Sequence, residues 1–305
     1  MRIVGTDLDV FGLCLGTNIF GWTADQPQSF AVLDAYTAAG GNFLDTADVY
    51  SAWVDGHQGG ESEAVIGNWL AARGHRQEFV IATKVGVMGG LSEANIHERV
   101  DASLRRLQTD HLDLYYVHLD DPETPLRETL TALDALVRAG KVRYIAASNF
   151  KPERLAEALA ISERHGLARF VALSPHYNLM ERSYETTLAE LCARNGISCV
   201  PYYALAKGFL TGKYRRGQPI DSQRPGRHNG SAYLDDRGLR VLGALDETAA
   251  AHGTTLAAVA LAWLRAQPTV IAPIASARTP EQLAELLPMA ELALTAAELE
   301  RLSAA

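Results

Sequence analysis

Four side chains that can do acid–base chemistry stand where three apolar runs end. Phe43-Leu44 leads into Asp45-Thr46-Ala47-Asp48-Val49-Tyr50, Phe79-Val80-Ile81-Ala82-Thr83 into Lys84, and Leu114-Tyr115-Tyr116-Val117 into His118. A Lys ammonium beside a phenol favours phenolate, so Lys84 is expected to lower the Tyr50 pKa from its unperturbed value of about 10. Asp45 would balance and orient that charge, and His118 could hydrogen-bond a substrate oxygen. A phenol tuned in this way can give a proton to a developing alkoxide, as carbonyl reduction requires. Each residue also has a plainer use. Asp45 could cap a turn, with Lys84 its buried ion-pair partner; Tyr50 could be an amphipathic rim residue and His118 a satisfied polar group. Spacing alone leaves both readings open.

The quartet can act together only if those runs end side by side. Candidate strands begin near Gly12, Phe43, Phe79, Leu112, Val142, Phe170, Ser198 and Thr269, mostly about 30 residues apart with helical patterns between them. One such pattern is Leu126 to Ala139, where Leu126, Leu130, Leu133 and Val137 recur at helical spacing before Gly140-Lys141 ends it. Runs with little alternation suit strands buried on both faces. Eight units predict one α/β domain over residues 1–305, a (β/α)8 TIM barrel rather than an open sheet. The last interval is too long for one unit. It contains Lys213 to Asp236, rich in Arg, Gly and Pro, read as a long loop after strand seven that covers a site.

Composition narrows the function classes. The chain has 305 residues, 48% hydrophobic and 21% charged, which excludes disorder. A net charge of −8 with scattered charges argues against a nucleic-acid surface. The longest apolar run, Leu256 to Leu264, has about half of the ~18 residues of a spanning helix. Met1-Arg2-Ile3-Val4-Gly5-Thr6 lacks the apolar stretch of a signal peptide, so no membrane partner and a cytoplasmic location are expected. Cys14, Cys192 and Cys199 have no CxxC spacing and suggest neither a disulfide framework nor a thiolate metal site. The sequence does not indicate the oligomeric state.

Several motifs in order resemble the aldo-keto reductase family across nearly the whole chain. They are Gly41 to Tyr50, Leu126 to Phe150 with Ser148-Asn149-Phe150 at its end, Pro201-Tyr202, Gly208-Phe209-Leu210-Thr211-Gly212-Lys213-Tyr214, and Pro273 to Leu283. The resemblance implies an NADP(H)-dependent oxidoreductase that reduces small aldehyde or ketone carbonyls without a metal, the cofactor supplying the hydride. Asp45, Tyr50, Lys84 and His118 match its catalytic tetrad, with Tyr50 the proton donor. Ser148 and Asn149 match the pair that holds the nicotinamide carboxamide, and Tyr202 the aromatic stacked on that ring. Leu205, Lys207, Gly208 and Leu210 match a segment that wraps the pyrophosphate. Ser276, Arg278 and Gln282 match the region that holds the adenosine 2′-phosphate, where exposed helix-start N–H groups would also favour phosphate.

Some positions depart from the family pattern. Ser174 stands where a Gln commonly contacts the carboxamide, Ala146 replaces a frequent Gly, and Leu286 stands where an Asn often contacts adenine. Ser276 replaces a common lysine, so the NADP preference rests chiefly on Arg278. Ser148-Asn149 could instead be an ordinary cap pair, and Tyr202 plain packing. Lys213, Arg215, Arg216, Arg224 and Arg227 are either a solvated loop or an attractive surface for an anionic dinucleotide. Phe20, Trp22, Trp53 and Tyr203 are candidate substrate-pocket walls, or packing residues. Two other functions share these features: an NADP(H)-binding regulatory or channel-associated subunit with little turnover, and a non-redox barrel enzyme for phosphorylated substrates.

Overall fold

The computed structural model describes residues 1–218 and 230–305. Eight short apolar segments form parallel strands: β1 (Cys14–Gly16), β2 (Phe43–Asp45), β3 (Val80–Val85), β4 (Leu112–Val117), β5 (Val142–Ser148), β6 (Phe170–Ser174), β7 (Ser198–Cys199) and β8 (Ile274–Ala275). They pair in the order β7-β6-β5-β4-β3-β2-β1-β8. Backbone bonds from Ile271 N to Cys199 O (3.0 Å) and Ile274 N to Pro201 O (2.9 Å) link the two ends of this order. The expected (β/α)8 barrel is therefore present.

Helices α1 (Gln26–Ala38), α2 (Glu61–Arg73), α3 (Glu93–Leu107), α4 (Leu126–Arg138), α5 (Pro152–His165) and α6 (Leu188–Asn195) each follow one strand. In α4 Leu126, Leu130 and Leu133 are buried as the helical spacing demanded, while Val137 is only partly buried and Leu136 beside it completes the apolar face. Gly140 just beyond it has φ +72°, a left-handed backbone that suits a residue without Cβ.

Two boundaries differ from expectation. The last strand was expected from Thr269, but its ladder to β1 begins at Ile274. Pro268 and Pro273 flank the intervening stretch and offer no N–H, and Thr269 itself has φ +69°. The long interval after β7 holds more than a loop. Besides α8 (Leu256–Arg265) it contains α7 (Asp236–His252), started by the Asp235 carboxylate accepting from Gly238 N. After β8 come α9 (Pro280–Leu286) and α10 (Ala296–Ala304).

Strand periodicity divides the interior into two cores. Ile81, Val85, Tyr115, Val117 and Ala147 point outward and pack beneath the helices. Cys14, Phe43, Val80, Ala82, Leu114, Tyr116, Ala146, Ala172, Val200 and Ile274 fill the barrel. Ile3, Leu8 and Val10 join that inner core from an N-terminal hairpin bridged at Arg2 and Asp9.

Candidate active site

Two residues beyond the last apolar inward position of each strand, the side-chain type changes. Cys14 is followed by Gly16, Phe43 by Asp45, Ala82 by Lys84 and Tyr116 by His118. Ala146 is followed by Ser148, Ala172 by Ser174, Val200 by Tyr202 and Ile274 by Ser276. All eight of these later residues line one cavity of about 750 Å³. The period of two carries the inward face past the apolar layers, so seven of the eight positions, all but Gly16, ring the top of the barrel interior with polar groups. That ring is where barrel enzymes place their chemistry.

Asp45 and Lys84 form its charged centre. Their side chains are 3% and 4% exposed, and Lys84 Nζ lies 2.7 Å from Asp45 Oδ1. The ammonium also donates to Thr46 O at 2.6 Å and to Tyr50 Oη at 2.9 Å. The Tyr50 hydroxyl in turn donates to Asp45 Oδ2 at 3.2 Å. Two buried charges are tolerable here because each meets the other and further polar atoms. The His118 ring stands edge-on to Tyr50, centroids 6.1 Å apart.

The turn that delivers Tyr50 is built tightly. Thr46 Oγ1 donates to Ser62 Oγ at 3.0 Å, and Ser62 Oγ donates to Thr17 O at 2.8 Å, tying the end of β2 to α2 and β1. Ser51 has φ +72°, and its hydroxyl donates to Phe20 O at 3.2 Å. A left-handed residue other than glycine is uncommon and costs energy. It turns the chain sharply after Tyr50.

The protonation states correct one expectation. Burial, and then the Asp45 carboxylate, push Tyr50 well above the ordinary phenol value rather than below it. The ammonium is close, but the carboxylate beside it and the loss of solvent outweigh it. Tyr50 is thus held as a phenol at neutral pH. Burial and the Lys84 charge push His118 down to about 3, so its imidazole is neutral. Burial raises Asp45 above the usual carboxylate value, while Lys84 and Tyr50 pull the other way.

A second group of expected residues lies on the neighbouring side of the cavity. Asn149 has φ +58°; its Nδ2 donates to His118 O (2.9 Å) and Ser148 Oγ (3.0 Å), and its Oδ1 accepts from Tyr202 Oη (2.7 Å). Ser148 Oγ donates to Ser174 O at 3.0 Å, whereas Ser174 Oγ is buried with no hydrogen-bond partner. Tyr202 stacks on His176, centroids 5.3 Å apart and planes at 18°. Leu205, Lys207, Gly208, Arg278 and Gln282 also line the cavity, and Lys207 and Gly208 take left-handed φ values of +56° and +89°. With Ala206 at φ +47°, three consecutive left-handed residues bend the backbone here.

Other expected residues sit elsewhere. Leu210 and Phe20 are wholly buried in the outer core and do not line the cavity. Leu210 falls on a short helical turn over Ala206–Thr211 whose apolar face packs inward. Trp22 is one step removed, edge-on to Trp53 at 5.6 Å, whereas Trp53 and Tyr203 do line the cavity. Two of the N–H groups near the helix start are already occupied. Thr279 accepts from Gln282 N, and Gln282 Oε1 accepts from Arg278 N at 3.0 Å. The basic loop is also partly neutralised: Arg215 pairs with Asp246 and Arg216 with Asp236, while Lys213 lines the cavity. Arg224 and Arg227 lie outside the described residues.

Sequence reasoning missed Asn18, Thr23, Val87, Leu119 and Glu285, which line the cavity too. Val87 and Leu119 lie three residues past Lys84 and one past His118, so extending the strand-end argument by a few positions would have found them. It also missed Asp48, whose carboxylate oxygens are buried with no hydrogen-bond partner. Burial and the neighbouring Glu63 push Asp48 up to about 7, against the pull of Arg99 and Arg106.

Comparison of the sequence with known proteins finds a family and several similar chains. Residues 12–305 match the Aldo/keto reductase family. The chain is 34% identical to "Protein tas" of Escherichia coli strain K12, over 92% of this chain and 90% of that one. It is 36% identical to "Uncharacterized oxidoreductase YrpG" of Bacillus subtilis strain 168, over 95% and 90%. Norsolorinic acid reductase B of Dothistroma septosporum is 32% identical, over 96% of this chain and 77% of that one. With its barrel, its strand-end tetrad and a match over nearly its whole length, the chain belongs to the Aldo/keto reductase family.

Proposed function

We propose that the protein reduces aldehyde or ketone carbonyls to alcohols with NADPH, Tyr50 donating the proton. The observation that carries this reading is the Lys84 ammonium, 2.9 Å from Tyr50 Oη and 2.7 Å from Asp45 Oδ1, within a cavity of about 750 Å³.

The cavity suits a dinucleotide. Its β7–β8 side presents Lys207, Lys213 and Arg278 to an anionic ligand, and the unpartnered Ser174 hydroxyl offers a polar contact beside Ser148 and Asn149. In this reading Ser148, Asn149 and Tyr202 hold the nicotinamide end, Lys207 and Gly208 the pyrophosphate. Ser276 and Arg278 hold the 2′-phosphate, where a guanidinium's fork suits phosphate recognition. A reduced nicotinamide held there supplies the hydride to the carbonyl carbon.

The protein's own part is to hold and move a proton. Neutral His118 donates a hydrogen bond to the substrate carbonyl oxygen and fixes its direction. Tyr50, protonated at neutral pH, passes its proton to that oxygen as negative charge builds on it. The Lys84 ammonium then faces the phenolate and stabilises it, and Asp45 keeps the ammonium in place.

The test is to mix the protein with NADPH and a panel of reactive aldehydes and ketones and to follow NADPH absorbance. Carbonyl-dependent oxidation is the expected outcome. NADPH binding without turnover of any carbonyl, together with a stable membrane-protein partner, would favour a regulatory subunit instead.

A further inference from the structure

The turn after β2 has a front and a rear. Val49 and Tyr50 face the cavity, whereas Asp48, one residue earlier, is 2% exposed and does not line it. Its backbone is clamped on both sides. Asp48 N donates to Lys84 O at 3.4 Å, so the turn is bonded to the residue whose ammonium meets Tyr50. Gly59, at φ +93°, packs against Asp48 O, and a Cβ there would lie 2.7 Å from that oxygen.

The side chain lies behind the barrel wall. Strand parity puts Thr83 and Tyr115, register partners of β3 and β4, on the outer face beneath α2 and α3. There the buried Glu63 accepts from Thr83 Oγ1 and holds Arg106 at 2.6 Å. Asp48 is under the influence of Glu63 from α2 and of Arg99 and Arg106 from α3, and its own charge acts on Tyr115 from β4. Neither Asp48 oxygen, nor Tyr115 Oη, has a hydrogen-bond partner among the described residues. A buried carboxyl left in that condition costs free energy, and an apolar side chain of its size would not. Packing therefore does not explain an aspartate here.

We propose that Asp48 is a positioning residue for the proton donor, its carboxyl seating the rear of the turn so that Tyr50 stays on Lys84. This rests on the activity proposed above and adds a control to it. Below about pH 7 the carboxyl is neutral and the turn stays seated. Once ionised, the carboxylate is repelled by Glu63, while Arg106 is already engaged with that residue. Arg99, whose contacts to Asn95 Oδ1 (3.4 Å) and Met88 Sδ (3.9 Å) are long, is the cation that can turn to meet it. That pull draws the turn toward α3 and away from Lys84. A displacement of about 1 Å at a reacting group can slow a reaction by about 100-fold. Proton transfer therefore slackens as pH rises through about 7. Tyr50 titrates well above the ordinary phenol value and His118 at about 3, so neither supplies that step.

The test is the single-turnover rate with NADPH and 2-naphthaldehyde, a reactive aldehyde of the panel above, followed from pH 5.5 to pH 9. The unaltered protein should lose about tenfold in rate across a step near pH 7. Asp48→Asn, neutral and of the same shape, should match it within about twofold at pH 6 and show no step. Asp48→Ala should be about tenfold slower at pH 6, also without the step, with NADPH affinity unchanged. An unaltered protein without the step, a step that survives in Asp48→Asn, or an Asp48→Ala rate equal to the unaltered one overturns the inference. Should Asp48→Ala not fold, the pH profiles of the other two decide.

A second readout needs no turnover. Trp53 follows Tyr50 on the same turn and stands edge-on to it at 6.2 Å. In cofactor-free protein labelled with 5-fluorotryptophan, its 19F resonance, assigned by its loss in Trp53→Phe, should shift with a midpoint near pH 7 and stay still in Asp48→Asn. A His57→Gln background removes the imidazole of the neighbouring loop from this titration. If no carbonyl is reduced, the activity itself fails, and the resonance still decides whether Asp48 moves the turn: a shift unchanged by Asp48→Asn, or no shift at all, says that it does not.

Discussion

The reacting corner of the cavity and its β7–β8 side are built in opposite ways. Lys84 and His118 are carried by β3 and β4, six-residue strands that bond to neighbours on both sides. Lys207, Gly208 and Arg278 follow β7 and β8, strands of two residues, and are placed by turns. A long ladder fixes a side chain by register, and the inward parity then repeats from strand to strand. A turn fixes backbone direction instead, through the left-handed residues Lys207 and Gly208 and the Thr279 cap. Tyr50 itself follows the three-residue β2 on a turn, but one tied down by the hydroxyls of Thr46, Ser62 and Ser51, so it too is held within hydrogen-bond reach as proton transfer needs. The dinucleotide proposed for the other side would make many separate contacts and tolerate a looser scaffold.

Substitutions can break that contrast, and the largest effect should come from the ladder side. Lys84→Met removes the counter-charge of an Asp45 that is 2% exposed, leaving a buried carboxylate unpaired. Destabilisation of about 3–5 kcal/mol is expected in denaturant titration, along with loss of turnover. Restoring neutrality with Asp45→Asn in the same chain should recover much of the stability and none of the activity. If Lys84→Met unfolds at the same denaturant midpoint as the unaltered protein, the pair is not the centre of the site.

On the turn side the effect is narrower. Arg278→Ala should weaken NADPH binding by about tenfold or more, the scale of a lost charge-assisted hydrogen bond, and change NADH binding little. Fluorescence titration with both dinucleotides checks this. Equal losses would remove the assignment of Arg278 to the 2′-phosphate.

Two pH effects sharpen the comparison further, and both belong to the β2–β4 side. Asp48 ionises near 7 in the fold against about 4 when unfolded, so the fold binds the extra proton between those values. Stability linked to Asp48 is therefore present at low pH and lost as pH rises through about 7. Asp48→Asn should raise the melting temperature at pH 8 by a few degrees and leave it nearly unchanged at pH 4. His118 has the opposite sign. Its value of about 3 against about 6.5 unfolded means that stability present above pH 6.5 is lost as pH falls toward 3. His118→Gln should flatten that acid limb, which a series of melting curves from pH 7 to 4 would reveal.

The same contrast governs what could be read from the sequence. β2 through β7 begin within one residue of their expected starts, because apolar runs bounded by helical patterns leave little choice of register. Three of the four polar residues follow from them: two residues past Phe43, Ala82 and Tyr116 lie Asp45, Lys84 and His118. Tyr50 was reached through its motif, since a five-residue turn has no periodicity to count. The start of β8 was misplaced by Pro268 and Pro273, which interrupt the ladder where the apolar pattern continues. Leu210 was expected at the cavity from the family resemblance and Phe20 from its place near a strand end, but both are apolar side chains that pack into the adjacent core. The direction of the Tyr50 shift was also beyond the sequence. Proximity to Lys84 could be foreseen, but the weight of burial and of the Asp45 carboxylate needed three-dimensional positions.

The central claim is that Tyr50 gives up the proton. Its most direct test is Tyr50→Phe, which removes one oxygen and keeps the ring beside His118. NADPH binding and single-turnover oxidation with 2-naphthaldehyde should be measured on the same preparation. The account predicts nearly unchanged NADPH affinity and a rate lower by about 100-fold to 10,000-fold, the range for a lost general acid. A variant that binds NADPH and turns over at the unaltered rate would contradict it.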